Sequence, residues 1–280
     1  MIEKKEDMIY QNFLTQTLQG AAKIASEMFG KTTNRQKSDT SVVTEADLKI
    51  GKFLISEIQK NYPSYNIIDE ETGVIDRGSE YTWVIDPIDG TINFADGIPL
   101  YGIMMGLLKG DEPYAGGIIL PFFNEIYTAE KGQGTYRNGQ KVEIIDRKDF
   151  SMVSVAFGIA RFGSNIQEME KQARWMARIA QEFYTVRNSG SVYDLAAVLR
   201  GSAGANLYNG AKIWDILPEH ILVTEAGGVS TDLEGKAFDF SECLRKAAEK
   251  HHYTSCSGAP RVHKKIQEII HKNGPPPPRG

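Results

Sequence analysis

Asp86 and Asp89, three residues apart, lie in the run from Trp83 to Phe94, Trp-Val-Ile-Asp-Pro-Ile-Asp-Gly-Thr-Ile-Asn-Phe. Their chemistry is that of a hard cation site beside an anion site. Carboxylate oxygens suit Mg²⁺, which takes oxygen ligands and keeps several waters. Gly90 closes a turn, and Thr91 to Phe94 can open a short helix. The first N–H groups of a helix lack partners within it, and they suit phosphate. Asp-Gly alone is ordinary turn chemistry. Acids beside a buried apolar strand are costly unless something binds them. A second chemical stretch is Trp214-Asp215, opening a helix that ends in Glu225-Ala-Gly-Gly. Alone, that Asp reads as a cap and a partner of the helix dipole. Asp47, in Thr44-Glu-Ala-Asp, likewise fits a capping box. The acids Asp69, Glu70 and Glu71 read, in isolation, as a solvated strand end.

The elements that must position these residues follow from periodicity. Leu14, Leu18, Ala21, Ala25 and Met28 predict a helix over 8–29. Residues 31–43 are polar without a period and predict a mobile loop. Ala46, Ile50, Leu54 and Ile58 give the helix after Thr44 its apolar stripe. Residues 66–69 predict a short buried strand. Trp83 to Ile85 predict another, which should stop at Pro87 because proline cannot donate to a sheet ladder. Residues 101–109, 114–120 and 124–130 predict an antiparallel meander, with a hairpin at Asn138-Gly139. From about 150 onward, strands (152–157, 184–187, 205–208, 253–257) alternate with helices (166–180, 192–199, 214–226, 262–271), the pattern of an α/β half with some parallel pairing. The expected division is an α+β half over 1–149, an α/β half over 150–273, and a disordered proline-rich tail over 274–280.

The 280 residues are 41% hydrophobic and carry a net charge of −4, so general attraction to nucleic acid is not expected. Cys243 and Cys256 have no metal-like spacing and fit a reducing cytoplasm. The N-terminal residues lack a signal-peptide core, and no run of about 18 apolar residues exists, so no membrane partner is expected. The five histidines form no HxxxH or HxH cluster, which argues against zinc.

Together, Val43-Thr-Glu-Ala-Asp47, Asp69-Glu-Glu71, Asp86-Pro-Ile-Asp-Gly-Thr91, Lys131-Gly-Gln-Gly134 and Trp214-Asp215 with Glu225-Ala-Gly-Gly228 stand in a particular order and spacing. Over roughly residues 8–271 the chain resembles the inositol monophosphatase family of Mg²⁺-dependent, Li⁺-sensitive phosphatases. The resemblance implies a layered αβαβα sandwich, a cytoplasmic homodimer, and hydrolysis of a small polyol or sugar phosphate by metal-activated water. Inositol 1-phosphate comes first. Fructose 1,6-bisphosphate, 3′-phosphoadenosine nucleotides and histidinol phosphate are the alternatives. It implies two or three Mg²⁺ ions, with Mn²⁺ as a substitute. Glu70, Asp86 and the Ile88 carbonyl would hold the first ion, and Asp86, Asp89 and Asp215 the second. Glu70 would share a looser third through water. Thr91 with Asp47 would polarise the attacking water. The Gly90 and Thr91 N–H groups would hold phosphate, and Asp89, Ser191, Tyr208 and Asp215 would contact substrate.

Three departures bear on the substrate. Ile216-Leu217-Pro218 follows Asp215 where many members have two small residues, with Pro218 expected in the first turn of the helix. Tyr208 stands seven residues before Asp215, where the animal enzymes place a Glu that contacts inositol hydroxyls. Gly204 is not acidic either. Two other readings compete. A two-metal nuclease would want a basic groove, which the charge disfavours. An inactive member could bind Mg²⁺ or a partner protein.

Overall fold

In the computed structural model, which describes residues 8–31, 34–36, 42–159 and 165–271, the strand from Gly102 to Lys109 has no solvent face over most of its length. Ile103, Met105 and Leu107 are buried on one side, and Met104 and Leu108 on the other. Such a strand must lie between two covering layers.

The chain opens with α1 (Ile9–Met28), β1 (Asn34–Gln36), β2 (Val42–Thr44) and α2 (Glu45–Asn61). It continues through β3 (Asn66–Asp69), β4 (Gly73–Ile75), β5 (Tyr81–Asp89) and the short α3 (Thr91–Ala95). A meander follows: β6 (Gly102–Lys109), β7 (Glu112–Leu120), β8 (Glu125–Glu130), β9 (Gly134–Arg137) and β10 (Gln140–Val142). Then come β11 (Ser154–Ile159), α4 (Ile166–Glu182), β12 (Thr185–Arg187), α5 (Tyr193–Leu199) and β13 (Ala205–Ala211). The last elements are α6 (Ile213–Glu225), β14 (Val229–Thr231), α7 (Phe240–Arg245), β15 (Tyr253–Gly258) and α8 (Pro260–His271).

An eight-stranded sheet has the order β10-β9-β8-β7-β6-β5-β3-β4, and a five-stranded sheet the order β12-β11-β13-β15-β14. β11 pairs in parallel with β12 and β13, while β15 is antiparallel to β13 and β14. α1 and α2 cover the outer face of the larger sheet. α5 and α6 lie between the sheets, and α4 and α8 cover the far face of the smaller one. This is the αβαβα layering that the resemblance implied.

Several local expectations are corrected. Within the stretch expected as a loop over 31–43, Asn34–Gln36 pairs antiparallel with Val42–Thr44. β5 does not stop at Pro87. It pairs with β6 up to Asp86, slips by one residue, and pairs again at Asp89 opposite Gly102. Pro87 sits in that bulge, where its missing N–H removes no ladder bond. Pro218 is the sixth residue of α6, beyond the first turn. β4, β14 and α7 were not anticipated. The tail expected over 274–280 lies outside the described residues.

α6 is seated on glycines. A Cβ at Gly116 would meet Ile221 Cγ2 at 2.4 Å and Pro218 Cα at 3.2 Å, and one at Gly106 would meet Leu217 Cγ at 2.7 Å. The bare strands β6 and β7 thus let the helix backbone approach the sheet, which fixes the height of Asp215. α5 is tied to the same sheet by Arg200, 3.2 Å from both Glu125 oxygens; Glu125 also accepts from Arg137 and from the Tyr127 hydroxyl, each at 2.7 Å. Burial pushes the Glu125 carboxyl up, but Tyr127, Arg200 and Arg137 outweigh it and hold it below its ordinary value.

Gly116→Val should therefore lower the unfolding free energy by about 1–3 kcal/mol, the usual range for an overpacked core. It should also weaken divalent-cation affinity, because α6 carries Asp215. Urea unfolding and cation titration check both. A variant as stable and as cation-competent as wild type would contradict this seating.

Candidate metal and phosphate site

The β5 bulge brings Asp86 and Asp89 to the N-terminal end of α6. One carboxylate oxygen each from Asp86, Asp89 and Asp215 lie within 4.8 Å of one another. Asp86 is buried, and the other two are half-buried. Each acid is oriented by a backbone N–H. Ile88 donates to Asp86 Oδ1 at 3.0 Å, Lys212 donates to Asp215 Oδ2 at 2.7 Å, and Val192 donates to Asp89 Oδ1. Such partners fix a ligand's direction while leaving its other oxygen to a cation. Glu70 follows β3, and its Oε1 is 3.4 Å from Lys212 Nζ.

Electrostatics make this cluster a demanding neighbourhood. Burial first, then the charge of Glu70, Asp89 and Asp215, pushes the Asp86 carboxyl well above its ordinary range. Burial, then Asp215, does the same to Asp89 against the pull of the Val192 N–H. Asp215 is pushed up to about 7 by burial, although Lys212 works in the opposite direction. Like charges that share a site cannot all ionise at neutral pH without compensation. The donors are carboxylate oxygens, with no nitrogen or sulfur among them, and an all-oxygen set of this kind fits Mg²⁺ or Mn²⁺. Among the described residues, no other group of three acids, histidines or cysteines is gathered this closely.

Beside the cluster, Thr91 Oγ1 lies 2.9 Å from the Ile88 carbonyl and 3.3 Å from Asp47 Oδ1. A hydroxyl carries one hydrogen, so it serves one acceptor at a time. Asp47 Oδ2 accepts from the Thr44 N–H at 2.8 Å and the Thr44 hydroxyl at 2.6 Å, completing the capping box. One Asp47 oxygen thus caps α2 while the other faces Thr91, and burial raises its carboxyl pKa. Gly90 is the N-cap of α3 with φ +86°, and a Cβ there would meet Ser191 Cβ at 2.7 Å and the Leu100 carbonyl at 3.0 Å. Both the left-handed backbone and the contact require glycine. Asn93 Nδ2 donates to the Leu100 carbonyl at 2.7 Å and the Ser189 carbonyl at 2.9 Å, holding residues 188–194 against the motif.

The structure thus gathers Asp47, Glu70, Asp86, Ile88, Asp89, Gly90, Thr91 and Asp215 around the end of β5. Ser191 and Tyr208 line an adjoining cleft, together with Asp89 and Asp215. Sequence reasoning missed Lys212, which stands three residues before Asp215 and puts a cation among the acids. It also missed Lys250, whose Nζ donates to the Glu70 carbonyl at 2.8 Å from far along the chain. It missed Glu219, on the cleft wall one helical turn after Asp215. Position relative to Asp215 could have flagged Lys212 and Glu219; nothing local marks Lys250.

A family model described as the inositol monophosphatase family matches residues 5–272. A protein from Aquifex aeolicus named fructose-1,6-bisphosphatase/inositol-1-monophosphatase is 30% identical over 225 residues, 79% of this chain and 84% of its own. The Nus factor SuhB of Xylella fastidiosa is 33% identical over 201 residues, 71% of this chain and 72% of its own. The crystal structure of the suhB protein of Bartonella henselae superposes with a TM-score of 0.83 at 25% identity, covering 94% of this chain and 98% of that one.

The raised carboxyl values set a pH signature. A folded-state value above the unfolded one means that the ion-free native state holds protons that the unfolded chain has released. From the ordinary Asp value of 3.8 to about 7, Asp215 therefore makes the ion-free protein less stable as pH rises. A divalent cation replaces those protons and binds more tightly as they leave. The rise in Tm on adding Mg²⁺ should be larger at about pH 8 than at about pH 6, and Asp86→Asn should abolish it. Thermal unfolding with and without Mg²⁺ checks this; an equal shift at both pH values would contradict the assignment.

Proposed function

The chain belongs to the inositol monophosphatase family and is a phosphoric monoester hydrolase, and from that premise we propose that it hydrolyses a small polyol or sugar phosphate with Mg²⁺ bound at the acid cluster. Inositol 1-phosphate is the first candidate. Fructose 1,6-bisphosphate is the second, because the Aquifex relative is named for both activities. The observation that supports this most is the approach of Asp86, Asp89 and Asp215 to within 4.8 Å at the foot of the cleft.

Glu70, Asp86, Asp89, Asp215 and the Ile88 carbonyl are the groups that would hold the ions. Bound there, Mg²⁺ would acidify a coordinated water and offset the charge of the phosphoryl oxygens. With the Ile88 carbonyl engaged by an ion, Asp47 would accept the Thr91 hydrogen bond, leaving the threonine oxygen's lone pairs to face the attacking water. The Gly90 and Thr91 N–H groups, at the open end of α3, hold a phosphoryl oxygen. Lys212 balances Glu70 and limits the repulsion among the acids. Tyr208 offers the leaving group one hydrogen bond and an apolar face, where a carboxylate would accept several. The choice among polyols should be correspondingly loose.

Phosphate release from inositol 1-phosphate should depend on Mg²⁺ and stop in a chelator. Thr91→Ala should lower kcat by about 10²-fold, the usual weight of a positioned proton-transfer group, with KM changed little. A loss that falls mainly on KM would make Thr91 a binding residue instead. Li⁺ should inhibit at roughly tens of millimolar if it competes for a weakly held ion site. Across the substrate panel, kcat/KM for a second substrate should come within about tenfold of that for inositol 1-phosphate, a gap of one hydrogen bond. Activity undiminished in a chelator would overturn the metal reading, and strict selectivity would overturn the role given to Tyr208.

A further inference from the structure

α6 carries two acids into the same cleft. Asp215 and Glu219 are four residues apart, so they lie on one face of the helix, one turn from each other. Asp215 meets the acid cluster at the end of β5. Glu219 lines the cleft beyond it, beside Asn206 and Tyr208. A carboxylate in this middle layer, only 5% exposed, has a high desolvation cost unless it is paired. Its partners are neutral: Asn206 Nδ2 donates to Oε1 at 3.3 Å, and the Ser255 and Ser257 hydroxyls lie alongside. Among the described residues, no lysine or arginine forms an ion pair with it. Burial pushes its carboxyl up to about 7, and protonated or charged it offers acceptor oxygens with no cation beside it.

Asn206 and Tyr208 alternate along β13 and so share one face of the strand. With Glu219 they line one wall with a carboxylate acceptor, an amide that both donates and accepts, and a phenol. A carboxylate has about four acceptor positions. Asn206, Ser255 and Ser257 leave part of that capacity unused, and Glu219 lines the cleft. The chemistry that matches such a wall is a set of neighbouring hydroxyl groups, each needing an acceptor for its hydrogen. An aryl group or an alkyl chain would leave Glu219 buried and unanswered, and sites built around buried polar groups discriminate strongly against ligands that lack the partner.

We propose that Glu219, with Asn206 and Tyr208, forms the subsite that recognises vicinal hydroxyls of the leaving group, so that the enzyme selects phosphate esters of polyhydroxylated molecules over aryl or alkyl phosphates. This rests on the phosphatase reading above and adds to it a specificity residue four positions after Asp215.

The test compares inositol 1-phosphate with phenyl phosphate on the purified full chain, as wild type, Glu219→Gln and Glu219→Asp. Glutamine keeps the shape and removes the charge that Glu219 carries above about pH 7. It should lower the ratio of kcat/KM for inositol 1-phosphate to that for phenyl phosphate about tenfold or more, as expected for a hydrogen bond to a charged group. The loss should appear in KM for the polyol ester. Aspartate keeps the charge one methylene shorter and should recover part of the ratio. A ratio that stays within about twofold in both variants, whether both substrates suffer or neither does, would overturn the proposal, since a purely structural residue affects both alike. Calorimetric titration of inositol 1-phosphate in the presence of Ca²⁺ supplies a readout independent of turnover. If the wild type releases phosphate from neither ester, the phosphatase reading fails. Binding about tenfold weaker in Glu219→Gln would then still support the subsite, and an unchanged Kd would overturn it.

Discussion

The constraint on which the rest of this structure depends is the mutual repulsion of carboxylates that the fold holds together at one buried strand end. Asp86, Asp89 and Asp215, with Glu70 beside them, would separate in an open chain. Here they are fixed by backbone N–H groups drawn from three separate segments, at Ile88, Val192 and Lys212. The ion-free cluster answers the repulsion with retained protons and with the Lys212 ammonium near Glu70. Both answers are partial, and a hard divalent cation relieves what they leave.

Much of the scaffold serves to keep those acids at their separation. The bulge at Pro87 and Ile88 takes Asp86 and Asp89 out of strict strand alternation. The glycines of β6 and β7 let α6 settle onto the sheet, so Asp215 meets acids whose strand belongs to the other half of the sequence. Gly90 allows Ser191 to come within van der Waals distance of the motif, and Asn93 holds the Ser189 carbonyl there. Site and interlayer packing are therefore one construction.

The sequence made the acids and their order legible because each sits next to a strong local signal: the Asp-Gly turn, the capping box at Thr44, and the helix start at Trp214. The two apolar periodicities gave the helices and the meander, and the family resemblance supplied the layer order that periodicity alone could not. What stayed hidden was non-local. Lys250 reaches Glu70 across 180 residues, and no window of sequence contains both. Pro87 was read by its effect on an ideal ladder, and a bulge removed the cost. Pro218 was read by its distance from Trp214, but the helix begins one residue earlier, at Ile213. Glu219 went unnoticed because a Glu at the seventh position of an apolar helix reads as a surface position until the opposite sheet is known to cover it.

The central claim is that the acid cluster is a divalent-cation site that operates on a phosphate ester. The most direct test is a crystal of this protein soaked with Mn²⁺ and phosphate, with anomalous scattering used to locate the metal. The account predicts Mn²⁺ between Asp86, Asp89 and Asp215, with Asp86 touching more than one ion and phosphate resting against the Gly90 and Thr91 N–H groups. Anomalous peaks only elsewhere on the molecule, with the three aspartates still clustered and protonated, would contradict it.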